Sequence, residues 1–220
     1  MKNEKSPNLF DTMSDDPRNQ PRLKPRSRET LGPDHQRIHD GIVSSVRKVQ
    51  QMSNGALPGP FNAWMYVDSS LTSALDTIGV AIRTETSAVP NVIKSMAVCV
   101  VAAHRRCNVA FWAHRRGALS AGLSPETIEA IRCQQDPFFE DIEAVSGNDL
   151  RVIYDFVRCY LLHSRVSDEQ YQRALSVLGS ERSMVQLVLV IGHYCNIAAQ
   201  LNLLRVPAPG ASQPFPPSDD

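Results

Sequence analysis

The stretch Val89–Gly122, VPNVIKSMAVCVVAAHRRCNVAFWAHRRGALSAG, decides how the rest of the chain is read. It has no breaker after Pro90, and it places Val98, Val100, Val101, Val109, Phe111 and Trp112 among charged residues, so it predicts one long helix, interrupted at most once near its start. At about 100° per residue, His104, Cys107, Phe111 and His114 fall within one arc roughly 80° wide. Two imidazoles and a thiol on one buried face make this the place for chemistry. Arg105, Arg106 and Arg116 point to other sides and give the helix a charged margin.

Going outward, Pro33 opens a helix with an apolar stripe of Ile38, Ile42, Val43, Val46 and Val49, expected to run to about Gln51. Ser53–Pro60 (SNGALPGP) is a loop by its Gly and Pro content. Ser69 or Ser70 caps a helix to about Thr84, apolar at Leu71, Leu75, Ile78 and Ile82. After the central stretch, Ser124 and Pro125 start a short helix that ends near Cys133. Further helices follow from about Asp149 to His163 and from Ser167 or Asp168 to Gly179. The final one, roughly Glu181–Leu204, is apolar on nearly every side, which predicts burial in a core or a subunit interface. Its polar interruptions Gln186, His193, Asn196, Gln200 and Asn202 argue against a membrane span. No strand alternation of convincing length occurs, so the fold class is all-α.

The ends differ in composition. Residues 1–30 are polar and rich in proline and read as a disordered leader, with no apolar core of the kind a secretory signal needs. Residues 31–206 read as one helical domain, and 207–220 as an irregular Pro-rich tail. With 23 basic and 23 acidic side chains the chain has no net charge, which gives no reason to expect a nucleic-acid partner. Five cysteines in no Cys-x-x-Cys or metal spacing predict reduced thiols in the cytoplasm, with neither a disulfide framework nor a metal site. Phosphate loops, a G-x-S-x-G elbow and a His-Glu-x-x-His run are absent, which removes the commonest nucleotide, serine-hydrolase and zinc-protease signatures.

Four blocks carry a resemblance: GPFNAWM (Gly59–Met65), FWAH (Phe111–His114), AGLSPETIEAIR (Ala121–Arg132) and Leu201-Asn202. In order and spacing they resemble the carboxymuconolactone decarboxylase family, which includes alkylhydroperoxidase D, over roughly Leu31–Pro207. The resemblance implies a two-repeat helical bundle that assembles as a homo-oligomer, with a trimer favoured. It also implies that Phe61, Trp64 and Tyr66 lie near the active-site cavity, as pocket wall or as an aromatic anchor on the core. The peroxidase branch has a Glu, a Cys-x-x-Cys and a His, which register here on Ser95, Cys107, Ala110 and His114. One thiol and the imidazole survive; the acid and the second thiol do not. A dithiol peroxidase needs both an attacking and a resolving thiol, so that mechanism does not transfer. Nor does the decarboxylase branch's acid, since its place is Ala110.

Histidine titrates near neutrality, so the residues point first to a cofactor-independent lyase or isomerase acting on a small cyclic organic acid or lactone. In that reading His114 is the acid or base, His104 assists, and Asn108 or Arg105 holds a carboxylate. A single-cysteine peroxidase through Cys107 is a second reading, and a non-catalytic binding or assembly protein is a third.

Overall fold

In the computed structural model of the chain, residues 16–143, 145–210 and 213–215 are described. Among them are nine α-helices and no strand, apart from one isolated bridge between Ile142 and Val145, so the all-α expectation holds. Residues 1–15 of the expected leader, and 211–212 and 216–220 of the tail, lie outside the described residues. The expected single domain divides into two compact units, residues 1–80 with 200–220, and residues 81–199.

The first unit holds α1 (Pro33–Ser44), α2 (Pro60–Trp64) and most of α3 (Ser69–Thr84). Its core is Leu31, Ile42, Leu57 and Met65, with Ile38, Val43, Val49 and Phe61 packed against it. α1 stops seven residues earlier than the apolar pattern predicts. Ser45 takes an extended backbone, and its hydroxyl donates to the Ile42 carbonyl at 2.7 Å, satisfying one of the carbonyls a helix end leaves open. Val46 consequently lies on the surface, although Val49 still reaches the core.

The later half of the expected leader is tied down rather than disordered. The Arg22 amide and guanidinium donate to the carbonyls of Leu204 and Leu203, at 2.9 and 2.8 Å. The Arg26 amide donates to Asn62, and the Tyr66 hydroxyl donates to the Lys24 carbonyl at 2.6 Å. These bonds join groups far apart in sequence, two of them ending on the last carbonyls of the final helix, so they depend on fold rather than on apolar pattern, and composition does not reveal them.

The second unit is organised on α4 (Asn91–His104), ten of whose fourteen residues are buried. Only a helix surrounded by others can bury both faces. α5 (Asn108–Ser120), α6 (Pro125–Arg132) and α7 (Gly147–His163) pack on it, and α8 (Asp168–Leu178) packs on α7. The caps follow local chemistry: Ser124, Ser146 and Ser167 each accept an amide from the third residue of their helix. Ser167 and Gln170 complete a capping box.

The predicted long helix over 89–122 is instead two helices. α4 ends where Arg106 adopts a left-handed backbone, φ 50°. The Cys107 amide donates to the Ala102 carbonyl at 2.8 Å and the Arg106 amide to that of Ala103 at 3.1 Å. This pair of bonds is the Schellman stop, usually built on glycine. The same stop recurs at Gly122, Gln134 and Arg205, and only one of the four positions is glycine.

The last helix, α9 (Glu181–Leu203), leaves a stripe uncovered within the chain: Val185, Val188, Leu189 and Leu203 are 51–66% exposed. By length and composition alone it is apolar enough to cross a bilayer, with mean hydropathy 1.4, although polar interruptions argue against that from sequence.

Gly147, the first residue of α7, supplies a test of this packing. A Cβ there would lie 2.2 Å from the Phe139 carbonyl oxygen, so the backbone before α7 would have to move. Gly147→Ala is expected to cost about 1–3 kcal/mol by overpacking. Gly41→Ala, inside α1 with nothing within 4 Å, should instead gain about 0.5–1 kcal/mol. Denaturant melts of the two variants distinguish these outcomes.

Candidate active site

Cys107 is the N-cap of α5, Phe111 lies one turn on, and His114 almost one turn further, so these three keep a common face. His104 does not share it, because it closes α4 on the other side of the Arg106 reversal, where helical phase is lost. The 80° arc predicted for all four therefore holds for only three of them. Arg105, the C-cap of α4, is exposed, and Asn108 is half-buried at the first position of α5. Phe111 is core.

His114 meets groups that no motif in the sequence marks. Its ring stands edge to face with Tyr194 of α9, with centroids 4.7 Å apart and planes at 81°. Tyr194 in turn meets His193, at 5.2 Å and 86°. His114 is crowded by protein yet keeps part of its surface open, so it is desolvated without being sealed. Desolvation, and after it the nearby positive charge of Arg83 and the neighbouring His193, pull its pKa down to about 4. Burial likewise pushes the Tyr194 phenol up to about 12, against the opposing pull of Arg83. His104 and His193 are also lowered, both first by desolvation. At neutral pH the cluster therefore presents neutral imidazoles and a protonated phenol.

The thiols are in the opposite condition to reactive ones. Cys107 is fully buried, and burial pushes its pKa up to about 11 despite the helix-start amides of Ala110 and Val109. Cys99 is pushed up to about 12 for the same reason. Low thiolate character and closed access both suppress nucleophilic attack. Ser95, at the place where the peroxidase pattern has Glu, faces α5: a Cβ on Gly117 would lie 3.7 Å from its hydroxyl oxygen.

Phe61, Trp64 and Tyr66 belong to the first unit, and each has a structural partner there. Trp64 is buried, edge to face with Phe61 at 5.1 Å, and its indole donates to Gln200 at 2.8 Å. Arg47 lies over Phe61 and Arg26 over Tyr66, both about 5 Å from the ring centre. Of the two readings their sequence allowed, these contacts fit the anchor. A groove of about 340 Å³ between α7 and α8 is lined by none of the predicted site residues. Among the described residues no group of three His, Cys, Asp or Glu side chains is placed to hold a metal ion.

Two consequences can be measured. A histidine lowered from its ordinary 6.5 to about 4 binds fewer protons folded than unfolded between those values, so stability must fall as pH drops through that window. The melting temperature is expected to decline from pH 7 to pH 4, and His114→Gln, which cannot titrate, should flatten part of that slope. In thiol labelling of the native protein, exposed Cys133 should react first, with Cys99 and Cys107 protected until unfolding.

No protein-family model and no curated protein matches the sequence. Solved structures do match in fold. One is an uncharacterized peroxidase-related protein from Silicibacter sp. TM1040, with TM-score 0.62, 17% identity, and 96% of each chain covered. Another is a cysteine-to-alanine variant of the debrominase Bmp8 in complex with 2,3,4-tribromopyrrole, with TM-score 0.62, 12% identity, and 86% of this chain and 92% of that chain covered. At such identities the likeness concerns the fold alone, and the all-helical fold of this chain is the one these structures share.

Proposed function

We propose that the protein is a cofactor-independent lyase or isomerase acting on a small cyclic organic acid or lactone, with His114 as its proton-transfer group. The observation that carries this reading is the state of His114, a crowded but accessible imidazole held neutral at physiological pH beside Tyr194 and Arg83. A neutral imidazole is ready to accept a proton, and a low dielectric strengthens every charge interaction that follows. His104, at the end of α4, remains a candidate helper, with Asn108 and Arg105 as candidate carboxylate contacts. The peroxidase-related and debrominase structures of similar fold are compatible with small-molecule chemistry on this scaffold.

The thiol reading is the weaker one, because both Cys107 and Cys99 are buried with raised pKa. The assembly reading has a specific support in the uncovered stripe of α9, and it is compatible with catalysis. We take that stripe as the contact with further copies of the chain, with a trimer favoured by the resemblance to two-repeat proteins. Exposed apolar side chains such as Val185, Val188 and Leu189 are stabilised by mutual burial, at about 25 cal/mol per Å².

His114→Gln should remove at least about 100-fold of turnover on an identified substrate while helicity is retained, the usual range for loss of a general acid or base. Unchanged activity per folded molecule would end the catalytic assignment. Light scattering should report a mass well above the 24.4 kDa of one chain. Leu189→Glu should shift it toward the monomer.

A further inference from the structure

We propose that Tyr194 and Arg83, with His114, form an oxyanion site for a small planar organic anion, in which the Tyr194 hydroxyl donates to the oxygen that gains charge while the imidazole moves the proton. Neither Tyr194 nor Arg83 carries any motif of the sequence. The inference rests on the reading of His114 as a proton-transfer group and names what that group works beside.

Among the described residues no buried side-chain nitrogen or oxygen lacks a partner. Yet among the described residues the Tyr194 hydroxyl and the His114 and His193 ring nitrogens form no hydrogen bond; the rings meet edge to face. The two facts agree only if these polar atoms keep a path to solvent. The rings of three residues are thus locked by one another while their polar ends stay available, which is the arrangement a ligand site requires. Arg83 stands at the exposed end of α3, which Gln186 of α9 holds by donating to the Glu85 carbonyl at 3.0 Å, and it makes no ion pair among the described residues. Its positive charge acts on both groups, pulling His114 down and opposing the rise that burial gives Tyr194. No carboxylate contributes to the titration of either. A permanent cation with no acidic partner among the described residues, whose charge acts on a phenol donor, selects for an anion.

The chemistry balances without any other reactant. A neutral imidazole nitrogen of His114 takes a proton from a carbon beside a carbonyl, and the C–H electron pair moves into the carbonyl, whose oxygen becomes the oxyanion. Tyr194 donates a hydrogen bond to that oxygen and Arg83 offsets its charge. The imidazolium then returns the proton to a second carbon of the conjugated system, the carbonyl re-forms, and the double bond has moved with no net change in oxidation state. Groups whose environments push their pKa values apart, His down and Tyr up, suit opposite roles as acceptor and donor.

Benzoate, a flat monoanion, and benzamide, its neutral isostere, serve as probes on the full-length protein, read by NMR on the His114 and Tyr194 ring signals. Benzoate should shift both signals saturably at millimolar concentration, and more tightly than benzamide. Arg83→Gln should weaken benzoate about tenfold, and Tyr194→Phe, which keeps the ring, several-fold. Circular dichroism checks that both variants fold. Equal binding of the two probes, no saturable shift, or wild-type benzoate affinity in both variants would overturn the oxyanion site. If that happens while His114→Gln still abolishes turnover, the acid-base reading survives alone. If benzoate binding behaves as expected but turnover ignores His114→Gln, the anion site stands and the acid-base role falls.

Discussion

The left-handed turn at Arg106 is the constraint on which the second unit depends. A non-glycine residue in that conformation costs about 1–2 kcal/mol, so it persists only because the surrounding bonds require it. The amides of Arg106 and Cys107 close the last turn of α4, and Cys107 then serves as the first cap of α5. A continuous helix would have carried His114 some 15 Å beyond His104 along one axis, at about 1.5 Å per residue. The reversal instead gives α5 its own direction and lets His114 meet the ring of Tyr194 from α9.

What results is a site in which, among the described residues, no carboxylate acts on His114 or Tyr194. The peroxidase pattern places a Glu and two thiols around its histidine, whereas this chain has Ser95, one buried thiol and Ala110 in those places. Removing an acid from beside an imidazole removes the charge that would hold it protonated, and desolvation with Arg83 then drives it neutral. The same desolvation that prepares His114 disables Cys107 and Cys99, since a thiolate is the charged form and an imidazole base the uncharged one. One low-dielectric environment thus favours proton transfer and disfavours thiol chemistry.

The parts of the fold that were legible in the sequence are those written in local chemistry. Ser124 with Pro125, and Ser167 with its capping box, announce helix starts by satisfying free amides, and α3, α6, α8 and α9 lie close to where such signals put them. Most helix stops lie close to where the sequence puts them, near Cys133, His163, Gly179 and Leu204. The stop at Arg106 does not: its left-handed backbone has no glycine to signal it, which is why 89–122 reads as one helix. His114 was found because it shares a face with Cys107 and Phe111. Tyr194, His193 and Arg83 were missed because they come from helices far off in sequence and are joined to His114 by ring contacts and charge. Of the three, only His193 left a visible trace, as one of the polar interruptions of α9.

The central claim is that His114 is neutral throughout the physiological range because its surroundings, not its sequence neighbours, desolvate it. The most direct measurement is the pH titration of the His114 ring by NMR, assigned by its loss in His114→Gln. A midpoint near 4 is the result expected from this structure. A midpoint near the ordinary 6.5 would contradict it, because an imidazole that titrates as in water is neither desolvated nor under the influence of a nearby cation.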